Sequence, residues 1–199
     1  TLMRSSAASD VYKRQTYETD IKLRINLDGS GRSTIDTGIG FFDHMLALFA
    51  RHGALDMRLS LKGDLNVDGH HSVEDAGIAL GQALAKALGS KEGIRRYGCA
   101  YVPMDEALAR CVIDISGRGF LVYDAPEMAP NPGMDVMLAE EFFRALAVNA
   151  GITLHISVLY GRNPHHMLEG MFKALGRALR EAAGADGRLE GVPSTKGIL

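Results

Sequence analysis

Cysteine is scarce: Cys99 and Cys111 are the two in 199 residues, and both fall in strand-like stretches. No disulfide framework can be built from them, and two buried free thiols in a reducing cytoplasm are expected. Long hydrophobic runs are missing too. Ile78 to Leu88 is apolar but is interrupted by Gly81, Gln82 and Lys86, well short of the roughly 20 residues of a membrane span. Neither sign of charge dominates, with 22 Lys plus Arg against 24 Asp plus Glu. That balance leaves no basic footprint for nucleic acid and no polybasic membrane patch. An anionic ligand would have to be held by a few placed cations. Neither G-x-x-x-x-G-K-[ST] nor G-x-G-x-x-G occurs, so nucleotide-phosphate and dinucleotide binding have no support.

What remains is an ordinary globular composition, 46% hydrophobic, sized for one domain or two small fused halves. Thr1 to Gln15 has no clear period and no continuous apolar segment, so it does not read as a signal peptide. Residues 1–15 are expected to be a disordered arm or a non-native leader outside the fold.

From Thr16 onward the pattern repeats. Tyr17–Leu27 and Arg32–Thr37 read as strands around an Asp28-Gly29 turn, and Phe41–Phe49 reads as a helix ending near Gly53. Ala54–Lys62 is a strand, and Ser72–Leu88 is a helix closed by Gly89. The second half follows the same order. Gly98–Asp105 and Leu108–Ser116 are strands, with Gly119–Tyr123 as a candidate third. Val136–Ala150 is a helix, Ile152–Tyr160 a strand and Met167–Ala182 a helix, with Gly151 standing where Gly53 stood. The expected fold is α+β, an internal duplication of ββαβα half-domains at residues 16–93 and 94–199. A period this long fits a duplicated half-domain better than a solenoid.

The strongest internal match is His70-His71-Ser72-Val73-Glu74 against His165-His166-Met167-Leu168-Glu169. At a helix start, residues three and four apart share a face, whereas adjacent histidines diverge by about 100°. Two histidines of one copy are therefore badly placed for one ion. The economical arrangement is two metals, each taking a histidine from each copy plus a glutamate. Imidazole with carboxylate suits Mn, Fe, Co, Ni or Zn. Pairing the shorter helices through Gly53 and Gly151, with one residue of slack, sets Glu141 against His44, so each metal gains one more candidate ligand. His155, between Leu154 and Ile156, reads as a buried strand histidine. Ser194-Thr195-Lys196-Gly197 combines hydroxyls, a cation and flexible backbone, which suits a phosphate.

The motifs TGIGFFDHM (37–45), GHHSVED (69–75), RRYG (95–98), SGRG (116–119), EEFFRAL (140–146), NPHHMLE (163–169) and PSTKGIL (193–199), with Tyr17-Glu18-Thr19, resemble imidazoleglycerol-phosphate dehydratase over 16–199. The resemblance implies helices packed on two four-stranded sheets, Mn²⁺ as cofactor with two ions per active site, and a homo-oligomer of 24 subunits with sites at subunit interfaces. The implied metal ligands are His44, His70, His71, Glu74, His165, His166 and Glu169. Family members carry either His or Glu at the position of Glu141. Glu18, His52, Arg96, Arg118, Lys173, Ser194 and Lys196 are implied at the substrate, a small phosphate ester that His44, His70, His71 and His165 also approach. Asp105 resembles a family acid near the reacting carbons. The implied reaction dehydrates imidazole glycerol phosphate to imidazole acetol phosphate in histidine biosynthesis. It runs through a dimetal-bound imidazolate and a diazafulvene-like intermediate, with Glu18 as general base and Asp105 or a metal-bound water assisting.

Two rivals share the metal reading. A dinuclear phosphate-ester hydrolase would release inorganic phosphate. A metal-storage oligomer would use long four-helix bundles, whereas the helices here are short and alternate with strands.

Overall fold

A computed structural model describes residues 12–188 and 190–199. Apolar alternation builds its first strands. Ile21, Leu23 and Ile25 are buried along β2 (Thr19–Asn26), while Met57, Leu59 and Leu61 do the same along β4 (Asp56–Gly63). β1 (Tyr12–Gln15) and β3 (Ser33–Asp36) flank them, giving a sheet of order β1-β2-β4-β3. β5 (Tyr97–Met104), β6 (Ala107–Asp114), β7 (Phe120–Asp124) and β8 (Thr153–Tyr160) form a second sheet of matching order, β5-β6-β8-β7. In both sheets the last pairing is parallel and the other two are antiparallel. A helix makes each parallel crossover: α1 (Gly40–Gly53) in the first half and α3 (Leu138–Ala150) in the second. α2 (His70–Leu88) and α4 (Pro164–Ala183) follow β4 and β8.

The duplicated α+β architecture is as expected, with one strand more in each half than ββαβα. The extra strand of the first half is β1, which starts at Tyr12 inside the segment set aside as a leader. It is tied in by side chains. Arg14 forms an ion pair at 2.8 Å with Asp75 of α2, and Asp75 also accepts from Thr19. The order of the fold therefore begins before residue 16, and the remainder of the expected leader, residues 1–11, lies outside the described residues.

The helices pair across the halves, α2 with α3 and α1 with α4, and each half's helices also pack on that half's own sheet. Phe42, Phe142, Phe143 and Phe172 fill the shared core between them. The close crossings depend on missing side chains. A Cβ on Gly81 would sit 2.8 Å from the Leu146 carbonyl, and one on Gly176 would sit 2.5 Å from the Phe49 carbonyl.

Three expectations are corrected. The residue matching Gly151 is Ala54, not Gly53: both occupy the left-handed position closing their helices, at φ 51° and 63°. This removes the slack and puts Glu141 at the helical position of His44. His155 is exposed, because Leu154 and Ile156 take the helix-facing parity of β8 and turn it outward. Cys99 is exposed for the same reason on β5, whereas Cys111 is buried, and burial pushes its thiol pKa up.

Candidate metal and substrate site

The helices begin earlier than their apolar stripes suggest, at His70 and Pro164, so both HHxxE motifs lie in first turns. Asn163 caps α4 by accepting from the His165 N–H at 2.9 Å, and Pro164 presets the first turn. On α1, Asp43 accepts from the Thr37 backbone at 2.9 Å and from its hydroxyl at 2.6 Å, which fixes the helix entry next to His44.

The α1–α4 contact brings His44, His165 and Glu169 together. The Nε2 atoms of His44 and His165 lie 2.8 and 2.9 Å from the same Glu169 oxygen. Two half-exposed imidazoles thus converge on a buried carboxylate, with one ligand atom from each within 4.8 Å of the others. This donor set suits a divalent transition metal. Lys173, one turn along α4, donates to the other Glu169 oxygen. Burial pushes the Glu169 pKa upward, but hydrogen bonds from Lys173, His44 and His165 outweigh it and hold the pKa down to about 2. His52, two turns along α1 from His44, is half-buried. Its pKa is lowered by burial and then by the nearby charges of Lys173, Arg177 and Arg51. A strip of metal donors and cations therefore runs along the α1–α4 seam.

No three-donor cluster among the described residues draws a histidine from each HHxxE copy. Among the described residues, His44, His165 and Glu169 are the one three-donor cluster. His70 and Glu74 stand 3.9 Å apart on α2 and gather no third ligand. Glu141 occupies His44's place on α3, but its carboxylate lies 4.0 Å from Arg144. The second histidine of each copy is held from outside its helix. His71 Nδ1 bonds Asp64 at 2.9 Å, and His166 Nδ1 bonds Glu106 at 2.7 Å. These bonds raise both imidazole pKa values, and the His166 bond with backbone N–H donors holds Glu106 at about 2. Glu18 lies 3.9 Å from His71 Nδ1, and Asp105 lies 3.9 Å from His166 Nε2.

The other cations gather at the chain's C-terminal tail. Arg96 has a left-handed backbone, at φ 72°. It grips Asp114 through two nitrogens at 2.7 and 3.2 Å, donates to the Pro193 carbonyl at 2.9 Å, and covers the Tyr97 ring. Its contact with Pro193 brings the Ser194–Lys196 segment alongside. Ser194 Oγ accepts from the Lys196 N–H at 3.2 Å. Arg118 is exposed in the turn next to Ser116, and Lys91 reaches the last residue, Leu199.

Asp64, Glu106, Asp75 and Asp114 also belong to these networks, although their spacing in the sequence does not single them out. One signal was available: Asp64, Glu106 and Asp114 each follow or end an apolar alternation, where a strand hands over to a turn. Which turn meets which helix start is not written in that signal.

The chain is an internally duplicated α+β protein with a His/Glu donor cluster between helices of its two halves. A family model described as imidazoleglycerol-phosphate dehydratase matches residues 37–179. A relative of that name from Acetivibrio thermocellus is 60% identical over 187 residues, covering 94% of this chain and 96% of the relative. One from Clostridium botulinum is 63% identical, covering 94% and 95%. The crystal structure of the Staphylococcus aureus dehydratase superposes with a TM-score of 0.80 at 42% identity, covering 89% of this chain and all of that one. The Pyrococcus furiosus structure, in complex with (S)-C348, gives 0.82 at 40% identity, covering 94% and 99%. The chain belongs to the imidazoleglycerol-phosphate dehydratase family, and it is a hydro-lyase.

Proposed function

We propose that this protein dehydrates imidazole glycerol phosphate to imidazole acetol phosphate in histidine biosynthesis, with two Mn²⁺ ions per active site. The convergence of His44, His165 and Glu169 beside Lys173 and His52 carries the reading. His70, His71, Glu74, Glu141 and His166 would supply the remaining donors. Bound ions would act as Lewis acids on the substrate's imidazole and fix its orientation.

The residues divide the remaining work. Lys173, Arg96, Arg118, Ser194 and Lys196 hold the phosphate and align the carbon chain. The imidazole ring helps expel the hydroxyl beside it, giving a diazafulvene-like form. Glu18 then removes the proton from the next carbon, and Asp105 assists the departing hydroxyl. The resulting enol tautomerises to the ketone. Glu18 suits this role because its carboxylate stands beside His71 without bonding it.

Among the described residues, one chain gathers three of the donors, so a second copy would complete the shell. This favours a homo-oligomer, here proposed as 24 subunits with sites at subunit interfaces. No described helix is long and apolar enough to cross a membrane, and the two cysteines are unpaired. Both features agree with a cytoplasmic enzyme.

The test is an NMR time course of Mn²⁺-loaded protein with imidazole glycerol phosphate, beside metal-free protein and Glu169→Ala. Imidazole acetol phosphate formed only by the loaded parent supports the proposal. Release of inorganic phosphate instead would establish a hydrolase.

A further inference from the structure

The two halves present an acid at equivalent hairpin turns but use it differently. Thr16 bonds Thr19 across the turn Tyr17-Glu18, and Met104 pairs with Ala107 across the turn Asp105-Glu106. Glu18 and Glu106 are thus second residues of matching two-residue turns. Each turn lies beside the second histidine of its own half's HHxxE. In the first half Glu18 stops 3.9 Å short of His71 Nδ1, and Asp64, just after β4, bonds that nitrogen instead. In the second half Glu106 bonds His166 Nδ1 directly.

A carboxylate can only accept, so the hydrogen in both bonds belongs to Nδ1. In the neutral ring, Nε2 is then the atom left with a lone pair. For His166 a separate contact agrees. Asn163 Oδ1 accepts from the His165 N–H, so the other end of that side chain is its NH2. This NH2 lies 3.4 Å from His166 Nε2, which must therefore accept.

We propose that Asp64 and Glu106 are positioning residues that hold His71 and His166 in the Nδ1–H tautomer and present Nε2 as the ligating atom. Asp64's capture of His71 is also what leaves Glu18 free for the substrate. The inference rests on the metal-dependent reading above. Glu106 is itself anchored, because its other oxygen accepts the Arg162 and Asn163 backbone N–H groups at 3.1 and 2.7 Å. One side chain therefore fixes the loop entering α4 and the ring on that helix. Imidazole ligands are commonly oriented by such outer carboxylates.

Glu106→Gln keeps the shape and inverts the chemistry. Its amide oxygen goes to the two backbone donors, which turns the NH2 towards His166 Nδ1 and forces the proton to Nε2. Magic-angle-spinning ¹⁵N NMR of histidine-labelled, metal-free protein reads this directly. The expected result is His166 protonated at Nδ1 in the parent and at Nε2 in the variant. Mn²⁺ affinity, followed by EPR titration, should be about 10- to 100-fold weaker in the variant. Asp64→Ala is the second variant, on a different element: His71 becomes a mixture of tautomers and Mn²⁺ binding weakens. An unchanged His166 tautomer in Glu106→Gln, or an inverted one with parental Mn²⁺ affinity, overturns the positioning role alone. A parent protein that binds no Mn²⁺ overturns the metal reading and this inference with it.

Discussion

His44 Nε2 lies 2.8 Å from Glu169 Oε1 across the α1–α4 seam, although 125 residues separate the two in the chain. The contact joins a helix of the first half to a helix of the second. The duplicated halves are thus fastened together at the site as well as in the core.

Because Glu169 is the point on which His44, His165 and Lys173 converge, Glu169→Gln is expected to weaken Mn²⁺ binding more than about 100-fold, beyond the loss typical of an outer-shell change. Isothermal titration calorimetry measures it. Parental affinity in the variant would remove Glu169 from the ligand set.

Glu18 stands beside His71 without a hydrogen bond to it. Glu18→Gln should therefore lower kcat by about 10²- to 10⁴-fold, as for loss of a general base, while Mn²⁺ affinity stays at the parental value. Steady-state kinetics and an EPR titration on the same sample separate the two effects. A variant with parental kcat would transfer the base role elsewhere.

Arg14 and Asp75 pin β1 to α2, with Asp75 nearly buried. Arg14→Ala leaves that carboxylate with Thr19 as its remaining hydrogen-bonded side chain. The loss expected is about 2 kcal/mol, below the full figure for a buried pair because Arg14 is partly exposed. Chemical denaturation checks it. A parental midpoint would mean that β1 adds nothing to stability.

Asp56 accepts from the Arg32 and Ser30 backbone N–H groups and caps the turn between β2 and β3. These bonds hold its pKa at about 2 against an ordinary 3.8. A depressed carboxylate pKa stabilises the fold above the ordinary value, and that contribution is lost as pH falls towards about 2. Asp56→Asn should therefore flatten stability against pH over that window and leave the slope at neutral pH unchanged. Thermal melts across the acid range decide it, and parallel curves for parent and variant would sink the claim.

A Cβ on Gly176 would meet the Phe49 carbonyl at 2.5 Å and the Gly53 nitrogen at 2.8 Å, both backbone atoms that cannot move aside cheaply. Gly176→Ala should cost about 1–3 kcal/mol by overpacking and spread α1 from α4. If so, Mn²⁺ affinity falls along with the melting temperature. A loss of stability with intact binding would show that the seam tolerates separation.

Local chemistry made much of this legible in the chain. Alternating Ile21, Leu23 and Ile25 can bury one face only as a strand, and the apolar stripe of α2 can do so only as a helix. The doubled HHxxE makes both the duplication and a set of His and Glu donors legible. The exposure of His155 is not legible, because alternation says which residues share a face but leaves open which face meets the helices. The role of Glu106 is hidden for a different reason. The hairpins and the helices repeat at different spacings, so aligning the copies on HHxxE does not align Glu106 with Glu18.

Read alone, the chain specifies every element but β1, their order and the residue types available for metal and phosphate. These depend on side-chain periodicity and on groups close together in the chain. It takes the packed fold to show that β1 belongs to it, that α1 pairs with α4, and that His44 therefore meets Glu169 while His70 and Glu74 remain apart from that cluster. Those outcomes depend on which helices approach closely enough to interdigitate. That is a property of packed volumes and glycine crossings, and no local pattern encodes it.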